Sequence, residues 1–260
     1  MDIIKKVEIR RIKNDEVQYI EDFIVAEYPL TIFLNEIEII TLLATPKSLK
    51  ELSVGFLISE GFIDNMDEIE NIKFYEDKGL MYINTINDKD LRLKLKGKRT
   101  ITSGCGKGTS FYNVLDTFKE YKIDDNFQIS KDAIISIAKD FNGISETFQL
   151  TGGVHCVGIC SKENIIWYED DIGRHNALDK ILGKCHIEGI DFKDKFIITT
   201  GRISSEILIK AAKRGISLVV SRSAPTEMSV ALSKELGICL VGFVRGDKMN
   251  IYSNFSKVLL

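Results

Sequence analysis

Several things are scarce in this chain, and each absence narrows what it can be. Prolines number three in 260 residues, and no low-complexity tract or internal repeat is evident, so repeat arrays and disordered linkers are set aside. No apolar run approaches the length that spans a bilayer, which leaves no expectation of a membrane helix. The start, Met1-Asp2-Ile3-Ile4-Lys5-Lys6, lacks the apolar core of a signal peptide. Strong charge of either sign is also missing. A formal net charge of -3 argues against general nucleic-acid binding while permitting local basic pockets. The five cysteines, at 105, 156, 160, 185 and 239, form an odd set without close pairing. A reducing cytoplasm fits them better than a disulfide framework. The zinc-deaminase signature H-x-E…P-C-x-x-C is absent. A complete phosphate-binding P-loop is absent too, because Gly106-Lys107 runs into Gly108 rather than Ser or Thr.

What is present is an ordinary globular composition, 44% apolar, and a length that suits one large domain or two modest ones. The texture of the chain favours two. Residues 1–125 read as a smaller, β-rich α+β domain ending in a cysteine loop and a helix; residues 126–260 read as an α/β domain. In the first, Val7, Ile9 and Ile12 recur among charges. Leu30–Leu34 and Glu36–Ile40 flank Asn35 as a hairpin, and Leu49, Leu52, Phe56 and Leu57 share a helical face ending near Gly61. Ile72, Phe74 and Met81–Ile83 suggest further strands, and Leu91–Leu95 alternates as a half-buried strand. Phe111–Tyr121 reads as a helix, and Lys122–Asn126 as a linker.

The cysteine loop, Thr100–Thr109, sets Cys105 among Gly104, Gly106 and Gly108. Glycine exposes the backbone and admits conformations other residues avoid. Lys98, Arg99 and Lys107 favour the thiolate, which is the nucleophilic form. The loop reads as a sulfur-handling or covalent-catalytic site, and equally as a flexible connector that holds a cysteine.

Past residue 126, Ser130 opens a helix carrying Ile134, Ile137 and Phe141, closed near Gly143. Thr151–Cys160 is a strand entered through a glycine turn, with Ile165–Glu169 as its antiparallel neighbour. Three segments then repeat one design: Phe196–Thr200, Ser217–Ser221 and Ile238–Phe243 are short apolar strands, the first two followed by helices. That is the βαβ pattern of a mixed, largely parallel sheet with flanking helices. Parallel strands deliver their C-terminal ends to one edge, where ligands of open α/β sheets bind. Arg202, Arg222 and Arg245 each fall at such an end. Guanidinium forks match phosphate and carboxylate geometry, and a helix opening at Ser204-Ser205 adds free N–H groups at the same rim. The expected ligand is anionic, phosphorylated or nucleotide-like. The competing reading pairs each arginine with a scaffold carboxylate.

Asp170, Asp171, His175 and Asp179 are a further polar cluster, suited to a metal or a relay, though a single histidine among acids is more often hydrogen-bonded scaffold. His155, Cys156 and Cys160 do not make a zinc site. Successive strand residues face opposite ways, so His155 and Cys156 diverge, while Cys156 and Cys160 share a face but lie far apart. Cys185 and Cys239 read as packing residues.

Long stretches of the chain resemble the FdhD family, the sulfur carriers required for formate dehydrogenase activity. In the second half these are Thr151–His155, Glu169-Asp170 with Gly173–Lys180, Thr200–Glu206, Ser221–Thr226 and Val241–Gly246. In the first half they are Thr45-Pro46, Glu51–Gly61 and the cysteine loop. The resemblance implies a cytidine-deaminase-like α/β domain without zinc chemistry, joined to the smaller N-terminal domain, as a homodimer. It implies a cytoplasmic sulfurtransferase that takes sulfur from a cysteine desulfurase as a persulfide on Cys105. The sulfur passes to the molybdenum of a bound cargo, the bis(molybdopterin guanine dinucleotide) cofactor, for formate dehydrogenase. The resemblance puts cofactor contacts on Phe243, Val244, Arg245, Gly246, Asp247 and Lys248; the strand-end reading adds Arg202 and Arg222, with His175 and Asp179 expected to shape the site. Many members carry C-x-x-C in the loop; here its second position is Gly108. A relay on Cys105 alone survives that loss. Two alternatives stand beside it: a chaperone that delivers the cofactor without sulfur chemistry, and a nucleotide-modifying enzyme of the deaminase-like class, which the missing zinc signature disfavours.

Overall fold

The computed structural model describes residues 1–86 and 121–260. The expected Leu91–Leu95 strand, the Cys105 loop and the helix from Phe111 up to residue 120 lie outside the described residues. The chain opens with a hairpin, β1 (Ile4–Lys13) and β2 (Glu16–Val25), paired over its whole length. Its turn residues Asn14 and Asp15 have φ 49° and 66°, the left-handed pair that a two-residue hairpin turn requires. A second hairpin, β3 (Tyr28–Leu34) and β4 (Ile37–Ala44), turns the same way at Asn35 and Glu36. With β5 (Ile69–Tyr75) and β6 (Leu80–Thr85) it makes a four-stranded sheet in the order β4-β3-β6-β5. The inward residues of its strands, Leu30, Ile32, Leu34, Met81 and Ile83, pack on helix α1 (Leu49–Ser59) through Leu52, Leu57 and Ile58. Each such side chain contributes about 1.5–3 kcal/mol by leaving water.

The larger sheet has the order β13-β12-β11-β10-β8-β9. Its strands are β8 (His155–Cys160), β9 (Ile165–Asp171), β10 (Phe196–Thr199), β11 (Leu218–Ser221), β12 (Cys239–Arg245) and β13 (Lys248–Ser253). The three repeated segments, β10, β11 and β12, form its parallel centre. β8 and β13 run antiparallel to that centre and the edge strand β9 pairs antiparallel with β8, so the sheet is mixed. Both faces are covered. Helix α2 (Lys131–Phe141) lays Ile134, Ile137 and Phe141 on one face, and is followed by the short α3 (Glu146–Thr151). The other face takes α4 (Arg174–Ile187), α5 (Ser205–Ala212) and α6 (Glu227–Leu236), contributing Leu178, Ile181, Leu208 and Leu232 among others. A short parallel bridge of β7 (Ile129–Ser130) and β14 (Val258–Leu259) ties the C-terminus to the start of α2.

The two sheets meet through α1 and α4. A Cβ added at Gly55 would sit 1.8 Å from the Asp179 carbonyl oxygen, and one at Gly183 would sit 1.9 Å from that of Glu51. The helices cross backbone to backbone because both residues lack a side chain. Tyr121 and Ile123 pack on the larger core, and Ile123 donates its N–H to Leu236 O at 2.9 Å.

Candidate functional site

The polar stretch from Glu169 to Lys180 divides between a buried lock and a rim. Lys180 and Asp171 are both 0% exposed and their charged atoms lie 2.7 Å apart. Lys180 also donates to Thr45 Oγ1 at 2.7 Å and to the Asp170 carbonyl at 3.1 Å. Asp171 Oδ2 accepts from the Thr45 N–H and hydroxyl, both at 3.0 Å, while Oδ1 accepts from Gly173 N–H and from Asn176. Burial pulls the lysine's proton affinity down, and the Asp171 carboxylate opposes that pull. Nearby, Asp179 is clamped by Lys210 at 2.6 Å. Thr45 stands just beyond β4 and Asp171 ends β9, so this network pins the small sheet to the large one. It is scaffold, and Asp179 belongs to it. Among the described residues, no group of three or more His, Cys, Asp and Glu side chains is placed to hold a metal ion.

The rim is different. At the C-terminal ends of β10 and β11 lies a cleft of about 530 Å³, lined among others by Asn142, Gly153, His155, Thr200, Arg222 and Arg245. A smaller recess continues from Arg222 and Arg245 past Val244 and Gly246 toward Lys139 of α2. Arg222 is held by the Asn142 side-chain carbonyl, and Arg245 Nε donates to the Arg222 carbonyl at 3.3 Å. Neither has a carboxylate within ion-pair distance among the described residues, and neither does Arg202. Arg222 and Arg245 are thus held by neutral acceptors, and the three scaffold ion pairs of the competing reading are not found among the described residues.

The strand that carries Arg245 is distorted at the site. Phe243 adopts φ 54° and stays 40% exposed, and the β12–β13 register shifts between Gly242 and Arg245. A left-handed aromatic residue costs about 1–3 kcal/mol and persists only where its surroundings over-determine it. Here the Phe243 N–H donates to Ser223 O at 3.2 Å, and a Cβ at Gly242 would meet that same oxygen at 3.1 Å. The bulge turns the chain so that Val244 is buried and Arg245 reaches back over Arg222. Asp247 pairs with Lys139 at 3.1 Å, and Lys248 opposite Arg245 stays exposed.

Two histidines sit behind the rim. His155, first residue of β8, lines the cleft, while Cys156 beside it turns into the core on the α2 face. Burial, then Arg174 and Arg202, hold the His155 imidazole below its ordinary proton affinity, with Asp171 opposing. His175 points elsewhere. Its Nε2 lies 3.0 Å from Glu206 and 3.3 Å from Ser204 Oγ, the N-cap of α5. Burial first, then Arg174, bring its pKa down to about 4, so it meets Glu206 as a neutral N–H donor. His175 thus fixes the start of α5 and does not line the cleft.

Of the residues expected at the site, the fold brings Arg222, Arg245, Val244 and Gly246 together. It leaves Arg202 outside the cleft lining, its charge felt at His155. Sequence reasoning passed over His155 and Asn142. His155 was discounted because it made no zinc set, although the Thr151–His155 motif already marked it; Asn142 carried no signal. The other cysteines are inert: Cys156, Cys160, Cys185 and Cys239 are all buried, and burial pushes the Cys185 and Cys239 thiols up to about 12 and the other two higher still.

Comparison with known proteins agrees on one family. The model of the FdhD/NarQ family matches residues 25–259. The chain is 43% identical over 260 residues to the sulfur carrier protein FdhD of Listeria monocytogenes serotype 4b (strain F2365), covering 99% of this chain and 100% of that one. It is 41% identical over 251 residues to the sulfur carrier protein FdhD of Bacillus subtilis (strain 168), covering 96% of each. A crystal structure from Desulfotalea psychrophila, named as that of a formate dehydrogenase accessory protein, superposes with a TM-score of 0.81 at 24% identity, over 99% of this chain and 100% of that one. That likeness shows the α/β fold to be shared. By the extent of the family match and the identity of its relatives, the chain belongs to the FdhD/NarQ family.

Proposed function

We propose that this protein is a sulfur carrier serving formate dehydrogenase, with Cys105 as the carrying residue and the Arg222–Arg245 cleft as the seat of the molybdenum cofactor. The observation that carries the reading is the pair of rim arginines without carboxylate partners among the described residues, in a cleft at the ends of parallel strands. Guanidinium groups so placed suit the phosphates of a guanine dinucleotide. Relatives named as sulfur carriers support the sulfur role. The four buried thiols support Cys105 as the carrier, because each is held protonated and out of reach.

The relay has two steps. The Cys105 thiolate attacks the outer sulfur of a desulfurase persulfide; one S–S bond forms, one breaks, and the donor leaves as thiolate. The outer sulfur of the new persulfide then passes to the molybdenum of the bis(molybdopterin guanine dinucleotide) cargo, and Cys105 is released as thiolate. Installing that sulfur as sulfide takes two electrons, from the reduced metal or a thiol reductant. The protein works in the cytoplasm, as a homodimer, between a cysteine desulfurase and formate dehydrogenase.

The test pairs two variants. Wild-type protein incubated with a cysteine desulfurase and cysteine gains the mass of one sulfur, and Cys105→Ala gains none and fails to activate formate dehydrogenase. Arg245→Ala still accepts sulfur but loses guanine-nucleotide binding. Full activation by Cys105→Ala together with loss in Arg245→Ala would replace the relay by a cofactor chaperone.

A further inference from the structure

The cleft holds one titratable side chain that the relay does not use. His155 lines it alongside Arg222, Arg245 and Thr200. The groups around the imidazole are mostly cationic. Arg174 lies toward it from α4 and Arg202 from the turn after β10, the neutral His175 imidazole stands beside Arg174, and Asp171 at the end of β9 is the anion that opposes the two arginines. The ring and Arg174 both lie against Gly201: Nδ1 is 3.5 Å from where a Cβ on that glycine would stand, and Arg174 Cβ is 3.2 Å from the same point. A ring in this place cannot gain a proton cheaply while cations dominate its surroundings. An arriving phosphate reverses that balance, because it brings negative charge to the same cleft.

Resting on the cleft reading above, we propose that His155 is a ligand contact whose protonation is coupled to binding: a phosphate group entering against Arg222 and Arg245 brings a proton onto the imidazole. The neutral ring is then a hydrogen-bonding group in the protein alone and a third cation in the complex. Binding draws the proton from solvent, and dissociation returns it. The sign follows from linkage. The bound state has the higher proton affinity, so nucleotide binding tightens as pH falls through the bound-state pKa, up to about tenfold for each unit by which the ligand raises it. The terminal phosphate of a nucleotide, which protonates near pH 6, works in the opposite direction. The histidine's share is therefore read against a variant.

The probe is GDP, titrated calorimetrically into the full chain at pH 6.5 in two buffers of different ionisation enthalpy. Wild type is expected to take up more protons per GDP bound than His155→Gln, which still binds GDP and shows only the release from the terminal phosphate. Arg202→Gln is expected to reduce the uptake, because removing that charge leaves the ring already part-protonated before binding. GDP binding with equal net proton exchange by wild type and His155→Gln overturns the inference and leaves the cofactor cleft standing. Absence of GDP binding at any pH takes down the cleft reading and this inference together. His155→Asn serves as the reference if His155→Gln fails to fold.

Discussion

Lys180 is a charged side chain with no access to water, and its neighbours account for that placement completely. Its ammonium has three protons and finds Asp171, Thr45 Oγ1 and two backbone carbonyls. A buried pair of this kind adds little net stability against an apolar substitute, but removing one partner strands the other. Lys180→Ala is therefore expected to lose about 3–5 kcal/mol in urea-induced unfolding, through the uncompensated Asp171 carboxylate. A loss under about 1 kcal/mol would mean that the Thr45 and Asn176 donors alone suffice for Asp171. The chemistry of this cluster was visible in the sequence as a run of acids, a histidine and a lysine. Its purpose was not, because Asp171 is satisfied by Thr45, 126 positions away. A motif shows which residue types are required; only the long-range partner tells a catalytic relay from a lock. His155 shows the converse: its place in the cleft depends on Arg174 and Arg202, which come from separate elements.

The elements themselves were far more legible. The hairpin turn at Asn35, the strands at the repeated apolar runs, and the helices opened by Ser130 and Ser204 each follow from local chemistry, and both serines cap as expected, accepting from Ala133 and Ile207. The meeting of elements was not legible, since a glycine in a helix reads only as a weakness worth about 1 kcal/mol against alanine. At the α1–α4 crossing the balance reverses. Gly55→Ala or Gly183→Ala would place a methyl inside 2 Å of a partner backbone oxygen, so the helices must separate. Each is expected to destabilise by roughly 1–3 kcal/mol or more despite the better helix former, seen as a lowered denaturation midpoint at unchanged m-value. The end of α4 carries a pH signature as well. Arg214 lies 3.4 Å from His186 Nε2 and donates to it, which requires a neutral ring. Burial, then Arg214, bring the His186 pKa down to about 4 from an ordinary 6.5. The unfolded chain binds this proton first, so stability present above pH 6.5 is lost as pH falls toward 4. Solvent screening of the half-buried ring keeps the loss well below the roughly 3 kcal/mol that the full shift would give. His186→Gln should flatten that part of the stability–pH curve, and an unchanged slope would assign the acid sensitivity to other groups.

At the scale of the whole molecule, a small sheet is pinned by buried charge and bare helix backbone to a larger sheet with an arginine-lined rim. This rigid frame separates the chain's thiols into two chemical populations. Cys156 and Cys160 face the α2 layer, Cys185 points from α4 itself into the core on the opposite face, and Cys239 lies in the parallel centre of the sheet. Ionising any of them would put a thiolate into an apolar core, which is why burial holds all four protonated at neutral pH. Cys105 carries the opposite signature in its sequence, glycines on both sides and Lys107 nearby. Alkylation separates the two populations without reference to any partner protein. Native protein treated with iodoacetamide at pH 7.5 is expected to add a single carbamidomethyl group, found at Cys105 by peptide mass mapping, and the Cys105→Ala variant none. Repeating the reaction in denaturant should label five sites in the wild type, matching its cysteine count, at rates no longer distinguishable from one another. Rapid native labelling at Cys156 or Cys160 would show that the α2 layer opens on the reaction timescale, and the assignment of sulfur transfer to Cys105 alone would then fail.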